Sequence, residues 1–209
     1  THPVERAARL VAEDLCLLVR RPGPAGGWIL AAACVCFPSH CRVADKLGRP
    51  VAEIHDPVPH YGEELAGRVD RFLDRLQPRT GAWRRNWMIH THAELYAPTA
   101  PPPPDPPVTL ADAGRRLCLR SERQTLRLLR RTGAIVFGIR TQQVQLDDIA
   151  GRPDLAARLL AAVESWSPDL VGYRGGESVR RPLVDWLRVQ ALRPPARDAS
   201  GPPVPGGGA

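Results

Sequence analysis

The sequence predicts an α+β protein in which an antiparallel sheet is interrupted by a helical segment between its second and third strands. Three observations predict this fold class. Five segments show the alternating or short continuous apolar patterns of strands. Between the second and third of these segments the apolar period changes to that of a helix. Further helical patterns lie near both ends of the chain, so the helices and strands are segregated rather than strictly alternating.

The first half of the chain is predicted to hold an opening helix, a hairpin and a helical excursion. Strands are predicted at 15–19 and 28–37, and the glycine- and proline-rich segment 21–27 turns the chain between them. Gly48 and Pro57 end two short helices, because neither residue continues a helix well. Helices are predicted at 4–15, 43–47, 51–55 and 65–76.

The second half is predicted to supply three strands and the closing helices. The strands lie at 83–90, 117–129 and 134–144, and the helices at 153–163 and 179–192. The proline-rich segment 97–107 can form neither a helix nor a ladder, so an exposed extended loop is expected there. We therefore expect one domain over 1–192 and a disordered Pro/Gly-rich tail over 193–209.

The order strand, strand, helices, strand, strand, strand is that of PAS domains. In such domains the concave face of an antiparallel sheet and the crossing helices enclose a ligand. A different α+β sheet is the alternative interpretation. The sequence thus predicts a PAS-like antiparallel sheet with a helical excursion between strands 2 and 3 and flanking helices.

Composition limits the classes of function. Hydrophobic residues make up 43% of the 209 residues, which is enough for a core. The formal net charge is +7, but the arginines are scattered and not interleaved with aromatic residues, so a solvated basic surface is favoured over a nucleic-acid site. The longest apolar run, 28–37, is about half the ~20 residues of a membrane-spanning helix. No signal peptide is recognised, so a cytoplasmic protein is expected.

The five cysteines are an odd number and do not indicate a disulfide framework. Cys34, Cys36 and Cys41 lie close in sequence, but no CxxC pair or second cluster accompanies them. Buried thiols are therefore expected instead of a zinc site.

His55 is the best candidate for a metal ligand. It ends a short helix and is followed by prolines, which hold the chain extended and can present its ring rigidly. A neutral imidazole is the usual protein ligand of haem iron in many classes. The alternative is a half-buried histidine that caps the helix C-terminus. His60, His90 and His92 remain competitors for the same role.

Two predicted strands carry polar residues that can face a pocket. In the strand 83–90, Arg84 and Arg85 can pair with carboxylates of a cofactor, with Asn86 and Trp87 beside them. The alternative places the tryptophans in the core and the arginines on the surface. In the strand 117–129, Glu122 and Arg123 point to opposite faces, and the polar run there lines a pocket or forms the wet face of the sheet.

These segments together resemble the alpha subunits of the haem-dependent oxidative N-demethylases. The similarity is carried by short motifs that follow one another in order across residues 10–175. They are Glu13-Asp14-Leu15, Phe37-Pro38-Ser39, Lys46-Leu47-Gly48, Ile54-His55-Asp56-Pro57-Val58-Pro59, Arg85-Asn86-Trp87, Glu122-Arg123-Gln124-Thr125-Leu126 and Ile139-Arg140-Thr141. The sequence departs from the family pattern at His40-Cys41, Leu129 and Gln142.

The resemblance implies a PAS-type domain that holds haem b and activates O2. It further implies electrons from NADPH, delivered by a separate reductase with FMN and an iron–sulfur cluster, and a small secondary amine such as dimethylamine as substrate. His55 would be the iron ligand, because it lies in the family's histidine motif. Glu122, Arg123 and Thr125 would be catalytic pocket residues, and Arg84, Arg85, Asn86 and Trp87 would contact the cofactor.

Two other functions remain open from the residues. PAS domains commonly act as sensors, so a non-catalytic haem or small-ligand sensor is one alternative. A basic interaction module without a cofactor is the other.

Overall fold

A five-stranded antiparallel sheet with helices packed on it forms the fold in the computed structural model, which describes residues 2–23 and 26–194. The strands are β1 (Asp14–Arg20), β2 (Trp28–Cys34), β3 (Ala82–His90), β4 (Cys118–Leu128) and β5 (Ile135–Gln145). Their order across the sheet is β2-β1-β5-β4-β3, and every neighbouring pair is antiparallel. The predicted α+β class and antiparallel sheet are confirmed, and β2 and β3 are the sheet edges.

The helices lie before, between and after the strands, as the sequence predicted. They are α1 (Pro3–Ala8), α2 (Val51–Ile54), α3 (Ala66–Asp74), α4 (Ala113–Arg116), α5 (Pro153–Glu164), α6 (Pro168–Tyr173) and α7 (Glu177–Ala191). A π-helical turn, Tyr61–Leu65, leads into α3, and 3-10 turns lie at Val43–Asp45 and Leu146–Ile149. The short helices α4 and α6 were not predicted.

The opening helix was predicted too long. Its apolar spacing continues to Val11 and Leu15, yet α1 ends at Ala8 and the chain turns toward β1. Leu10 and Val11 remain exposed, so packing against a core does not stabilise a helix that continues through them. The predicted disorder of the tail falls mainly on residues 195–209, which lie outside the described residues.

Two apolar clusters pack on the two faces of the sheet. The first packs α2 and α3 against the strands, with Leu18, Trp28, Leu73 and Ile135 at its centre. The second cluster is built mainly by α5 and α7, and it includes Trp87 and Ile89 of β3 and Leu119 of β4. Its fully buried members include Leu117, Leu146, Val163, Leu183 and Leu187. Burying one such leucine stabilises the fold by roughly 1.5–3 kcal/mol.

Alternation along the paired strands assigns each side chain to one of two faces. Arg84, Asn86, Met88 and His90 of β3 share a face, which we call the inner face because the chain packs α2 and α3 on this side. The register places Asn86 opposite Glu122 of β4, so the even-numbered residues of β4 also belong to the inner face.

Asp14 joins the start of β1 to the end of β2 on the inner face. The residue is 2% exposed, and its Oδ1 accepts a hydrogen bond from the backbone N–H of Cys36 at 2.7 Å. The Phe37 N–H also donates to this carboxylate. Burial raises the pKa of Asp14, and the two N–H donors and Arg120 partly oppose that rise. The carboxylate therefore fixes where the chain leaves β2.

We expect Asp14→Ala to lower the free energy of unfolding by about 2–3 kcal/mol, because the N–H groups of Cys36 and Phe37 lose the charged acceptor that holds them. Urea unfolding of the purified protein measures this change. Glu13→Ala is the matched control, since Glu13 precedes Asp14 on the other face and is expected to change stability by about 0.5 kcal/mol or less. Equal losses in the two variants would contradict this role of Asp14.

Candidate functional site

A cavity of about 590 Å³ lies along the free edge of β3, near the end of that strand. Its volume falls in the range of about 300–1,000 Å³ that is usual for cofactor and small-molecule sites. Met88 and His90 reach it from the inner face, and Ile89 from the other face. The wall is completed by residues 39–41, by α2 and the loop after it, by Pro101–Pro104 and by residues 172–175. The cavity thus wraps around a sheet edge and is not confined to the concave face that the sequence predicted.

His55 lies in the wall of this cavity as the C-terminal cap of α2. Its Nδ1 is 2.8 Å from the carbonyl oxygen of Val51. A carbonyl only accepts, so Nδ1 must carry the proton, and Nε2 keeps its lone pair. The ring also stacks on Tyr61, with 4.6 Å between centroids and 12° between planes. Both contacts fix the tautomer and the orientation that a metal ligand requires.

The electrostatic surroundings favour the neutral form of His55. Burial lowers the pKa of this imidazole, and the cations of Arg84 and Lys46 lower it further, while the Val51 carbonyl opposes them. The cap that the sequence left as the alternative is therefore present, but as a neutral ring whose second nitrogen stays available.

Two cations lie in the cavity wall. Lys46 reaches it from the chain before α2, and its Nζ donates to the Ile54 carbonyl at 3.4 Å. Arg174 follows α6, and its guanidinium lies 5.0 Å from the ring centre of Trp87 and 4.6 Å from that of Trp166. The Nη1 of Arg174 is buried without a hydrogen-bond partner in the described part of the chain. The cavity wall therefore includes two positively charged side chains.

A polar chain crosses the inner face beside the cavity. Arg84 Nε donates to Gln124 Oε1 at 2.7 Å, and Gln124 Nε2 donates to Glu122 Oε2 at 3.0 Å. The other carboxylate oxygen of Glu122 lies 3.7 Å from Nε of Arg120. Glu122 pairs with Asn86 across the two strands, and the next inner-face residue of β3 is Met88, which lies in the cavity wall. The largely buried carboxylate of Glu122 thus accepts one hydrogen bond from Gln124 and forms an ion pair with Arg120.

Arg120 is completely buried and ties three segments together. Its Nη1 donates to the Leu95 carbonyl at 3.0 Å, and its Nη2 donates to the carbonyl of Phe37. Burial lowers the pKa of Arg120, and the carboxylates of Glu122 and Asp14 oppose that shift. The contacts hold the segment after β2 and the segment after β3 against β4. Residues 39–41 of the cavity wall follow directly from the first of these.

The structure divides the residues that the sequence predicted for the site. Arg84, Asn86 and Glu122 share the inner face with Met88. Arg85 and Trp87 lie on the opposite face, where Trp87 packs against Trp166 and supports Arg174. Arg123 is exposed on that same opposite face, and Thr125 there donates from Oγ1 to the Gly138 carbonyl at 3.3 Å.

Three histidines meet at the end of β3. One ring nitrogen of each of His40, His90 and His92 lies within 4.8 Å of the others. Nε2 of His40 is 3.5 Å from Nε2 of His92. His90 is 1% exposed, and burial together with His40, Arg120 and His92 lowers its pKa to about 3. We call these three residues the histidine cluster.

Sequence reasoning missed several residues of this region. Arg120 was not singled out, because an arginine inside a strand gives no signal of burial until its partners Phe37 and Leu95 are known. Arg174 was also missed, because helix α6, which precedes it, was not predicted. The sequence shows Trp87 and Trp166 as aromatic residues, but it does not show that they contact Arg174. His40 was noted only as a departure from a family pattern, and its distance in sequence from His90 hid the histidine cluster.

The thiols follow the expectation only in part. Cys16 and Cys118 are buried, and burial raises the pKa of Cys16 to about 12. Cys36 is exposed, so the expectation of buried thiols was wrong for that residue, because it lies just after β2 ends. Among residues 2–23 and 26–194 no cysteine joins a group with metal-ligand spacing.

The protein has an α+β fold, and its cavity wall carries the imidazole of His55 and the two cations Lys46 and Arg174. Comparison with protein families then gives the particular family. The family model described as haem-dependent oxidative N-demethylase, alpha subunit-like, matches residues 1–184, and the chain belongs to this family. The resemblance stated from short motifs is therefore confirmed. Within the described residues, each helix is too short or too polar to span a lipid bilayer.

We expect the free energy of unfolding to fall as the pH drops below about 6.5, by up to about 1.4 kcal/mol per pH unit for His90. The unfolded chain takes up a proton there at its ordinary pKa of 6.5, whereas the folded protein resists until the pKa of about 3. Urea titrations between pH 7 and pH 4 measure the slope.

His90→Gln should flatten this pH dependence, because the variant has no proton to take up at position 90. His60→Gln is the control. Asp169 raises the pKa of the exposed His60, so removing His60 should leave the acid destabilisation in place. An unchanged slope in His90→Gln would contradict the assignment.

Proposed function

We propose that the protein is the haem-binding subunit of an oxidative N-demethylase, acting in the cytoplasm on a small secondary amine such as dimethylamine. The net reaction takes the amine, O2, two electrons and two protons to the demethylated amine, formaldehyde and water. The observation that carries the proposal is the Nδ1 hydrogen bond of His55 to Val51, which leaves Nε2 free on a ring of the cavity wall. Family membership supports the same conclusion.

The residues of the cavity fit haem b. An imidazole of fixed tautomer is the usual axial ligand of the iron in many haem proteins. Ile54, Val58 and Ile89 give the wall the apolar character that a porphyrin needs. Lys46 and Arg174 can pair with the two propionates. The donor set thus matches each chemical part of the cofactor.

Bound haem supplies the oxidative chemistry, and the protein supplies binding, orientation and electrostatics. Tyr61 and the Val51 carbonyl hold the His55 ring in one position. The proline segment Pro101–Pro104 covers part of the cavity and limits access of water to the bound amine. Burial, together with Arg84 and Lys46, lowers the pKa of His55 and favours the neutral imidazole, so the ring is ready to bind without first losing a proton.

Glu122 is the proposed proton acceptor. A secondary amine is protonated near neutral pH, and its nitrogen lone pair becomes available for oxidation only after that proton leaves. Gln124 and Arg120 hold the Glu122 carboxylate on the inner face, next to the residue pair that includes Met88. Arg123 and Thr125 receive no role in this proposal, because they lie on the other face of the sheet.

The PAS-like character of the domain and its partner belong to the same proposal. The chain order of two strands, a helical excursion and three strands supports a PAS-like fold. The words alpha subunit-like in the family's description support a second subunit. We propose that this partner is a reductase that carries FMN and an iron–sulfur cluster and draws electrons from NADPH.

We expect His55→Ala to weaken haem binding strongly and to change the axial ligation of the iron. Absorption spectra of the haem-reconstituted proteins measure both effects. Added imidazole should restore the wild-type spectrum, because the variant leaves a space where the side chain was. His60→Ala is the matched control, since this exposed histidine pairs with Asp169 outside the cavity.

A wild-type spectrum in His55→Ala would overturn the ligand assignment. If a variant of His90 or His92 lost the spectrum instead, one of these competitors would be the iron ligand. A wild-type protein that takes up no haem would overturn the proposed function as a whole.

We expect Glu122→Gln to lower kcat/KM for dimethylamine by about 100-fold or more, because the loss of general-base catalysis typically costs about 10²–10⁴. The haem spectrum should stay unchanged. Formaldehyde release in the presence of O2 and a reductase measures turnover. Glu164→Gln is the control, since this exposed glutamate pairs with Arg188 away from the cavity. Unaltered turnover in Glu122→Gln would remove the residue from the mechanism.

A further inference from the structure

The histidine cluster has the composition and spacing of a transition-metal site. Two ligand nitrogens of a tetrahedral zinc ion stand about 3.3 Å apart, since each zinc–nitrogen distance is about 2.0–2.1 Å. The Nε2 atoms of His40 and His92 are 3.5 Å apart, and one ring nitrogen from each of the three histidines lies within 4.8 Å of the other two. Closing the set on one ion requires the rings to rotate, because His40 and His90 are stacked with 20° between their planes.

The polar contacts around the cluster also suit a metal. Nδ1 of His92 lies 3.0 Å from Oε2 of Glu94, although the alignment is not that of a hydrogen bond. A carboxylate behind one nitrogen orients the other toward a metal, which is the usual arrangement around zinc. Nδ1 of His90 is buried without a hydrogen-bond partner among the described residues, while its Nε2 contacts Ser39 Oγ at 3.1 Å. A metal would satisfy a nitrogen that the protein leaves unpaired.

The backbone places His40 in this cluster at a conformational cost. His40 has a φ of 51°, which is the left-handed region that residues other than glycine rarely adopt. Its N–H donates to the Ala97 carbonyl at 2.6 Å, and the Ala97 N–H donates to the Pro38 carbonyl at 3.1 Å. Arg120 anchors the preceding Phe37. The strained turn is thus held from both sides, and it stacks the His40 ring on His90.

We propose that His40, His90 and His92 form a binding site for one divalent ion of the zinc type. Three imidazoles suit a borderline ion such as Zn²⁺, whereas Ca²⁺ and Mg²⁺ prefer oxygen ligands. His40 and His90 also line the cavity, so the fourth coordination position can be taken by water or a small ligand there. This site is separate from His55 and does not depend on the proposed haem chemistry.

Zinc titration of the full chain by calorimetry tests the proposal, with haem-free and haem-loaded protein in parallel. We expect one Zn²⁺ per chain and a higher Tm in the presence of the ion, because a ligand of the folded state stabilises it. His40→Ala and His92→Ala should lose saturable binding. Glu94→Gln should bind about 10-fold more weakly, as is usual when the partner of a metal-bound histidine is lost.

Two matched variants complete the experiment. His60→Ala removes an exposed histidine that also pairs with a carboxylate, and Cys41→Ser removes the nearest thiol of the cavity wall, so both should bind Zn²⁺ as the wild type does. The proposal is overturned by absent binding in the wild type, by retained binding in His40→Ala and His92→Ala, or by a loss confined to Cys41→Ser. Circular dichroism establishes that each variant is folded.

The haem spectrum separates this proposal from the function proposed above. Zinc binding with no haem uptake would support the metal site and overturn the haem assignment. Haem uptake without zinc binding would do the reverse. A haem spectrum that changes in His40→Ala or His92→Ala, together with zinc binding blocked by haem, would show the cluster serving the iron and would overturn an independent zinc site.

Discussion

The buried guanidinium of Arg120 is the constraint on which the candidate site depends. It has no exposed surface, so its charge must be matched by the Phe37 and Leu95 carbonyls and by Glu122. These contacts join the segment after β2, the segment after β3 and the middle of β4. Two parts of the cavity wall follow these anchored residues in sequence: residues 39–41 follow Phe37, and Pro101–Pro104 follow Leu95. Asp14 adds a second anchor at the same point, through the N–H groups of Cys36 and Phe37.

The geometry of His55 is compatible with both roles that the sequence left as alternatives. Its Nδ1 caps α2, and that same hydrogen bond makes Nε2 the atom with the free lone pair. A capping role and a ligand role are therefore compatible on opposite sides of one ring. Tyr61 adds the orientation, because its ring lies parallel to the imidazole. The neutral state follows from burial and from nearby cations rather than from the helix dipole.

Most of the sheet could be predicted because its strands carry local patterns, such as the apolar residues of β2 and the alternation in β5. The alternation of side chains along a strand also predicted that Glu122 and Arg123 lie on opposite faces of the sheet, as they do. The sequence could not reveal that the cavity lies at the edge of β3 and takes residues from both faces of the sheet. Arg85 lies on the face opposite to the inner face. The histidine cluster was unpredictable, since it depends on the fold bringing His40 to His90.

The edge position of β3 gives the proline-rich segment a second physical consequence. An unpaired edge strand presents N–H and C=O groups that can recruit another strand and lead to aggregation. Pro101–Pro104 line the cavity at this edge, and because they have no N–H groups they cannot form a ladder with β3. This part of the chain can therefore lie beside the edge without extending the sheet, and a cavity remains between the two.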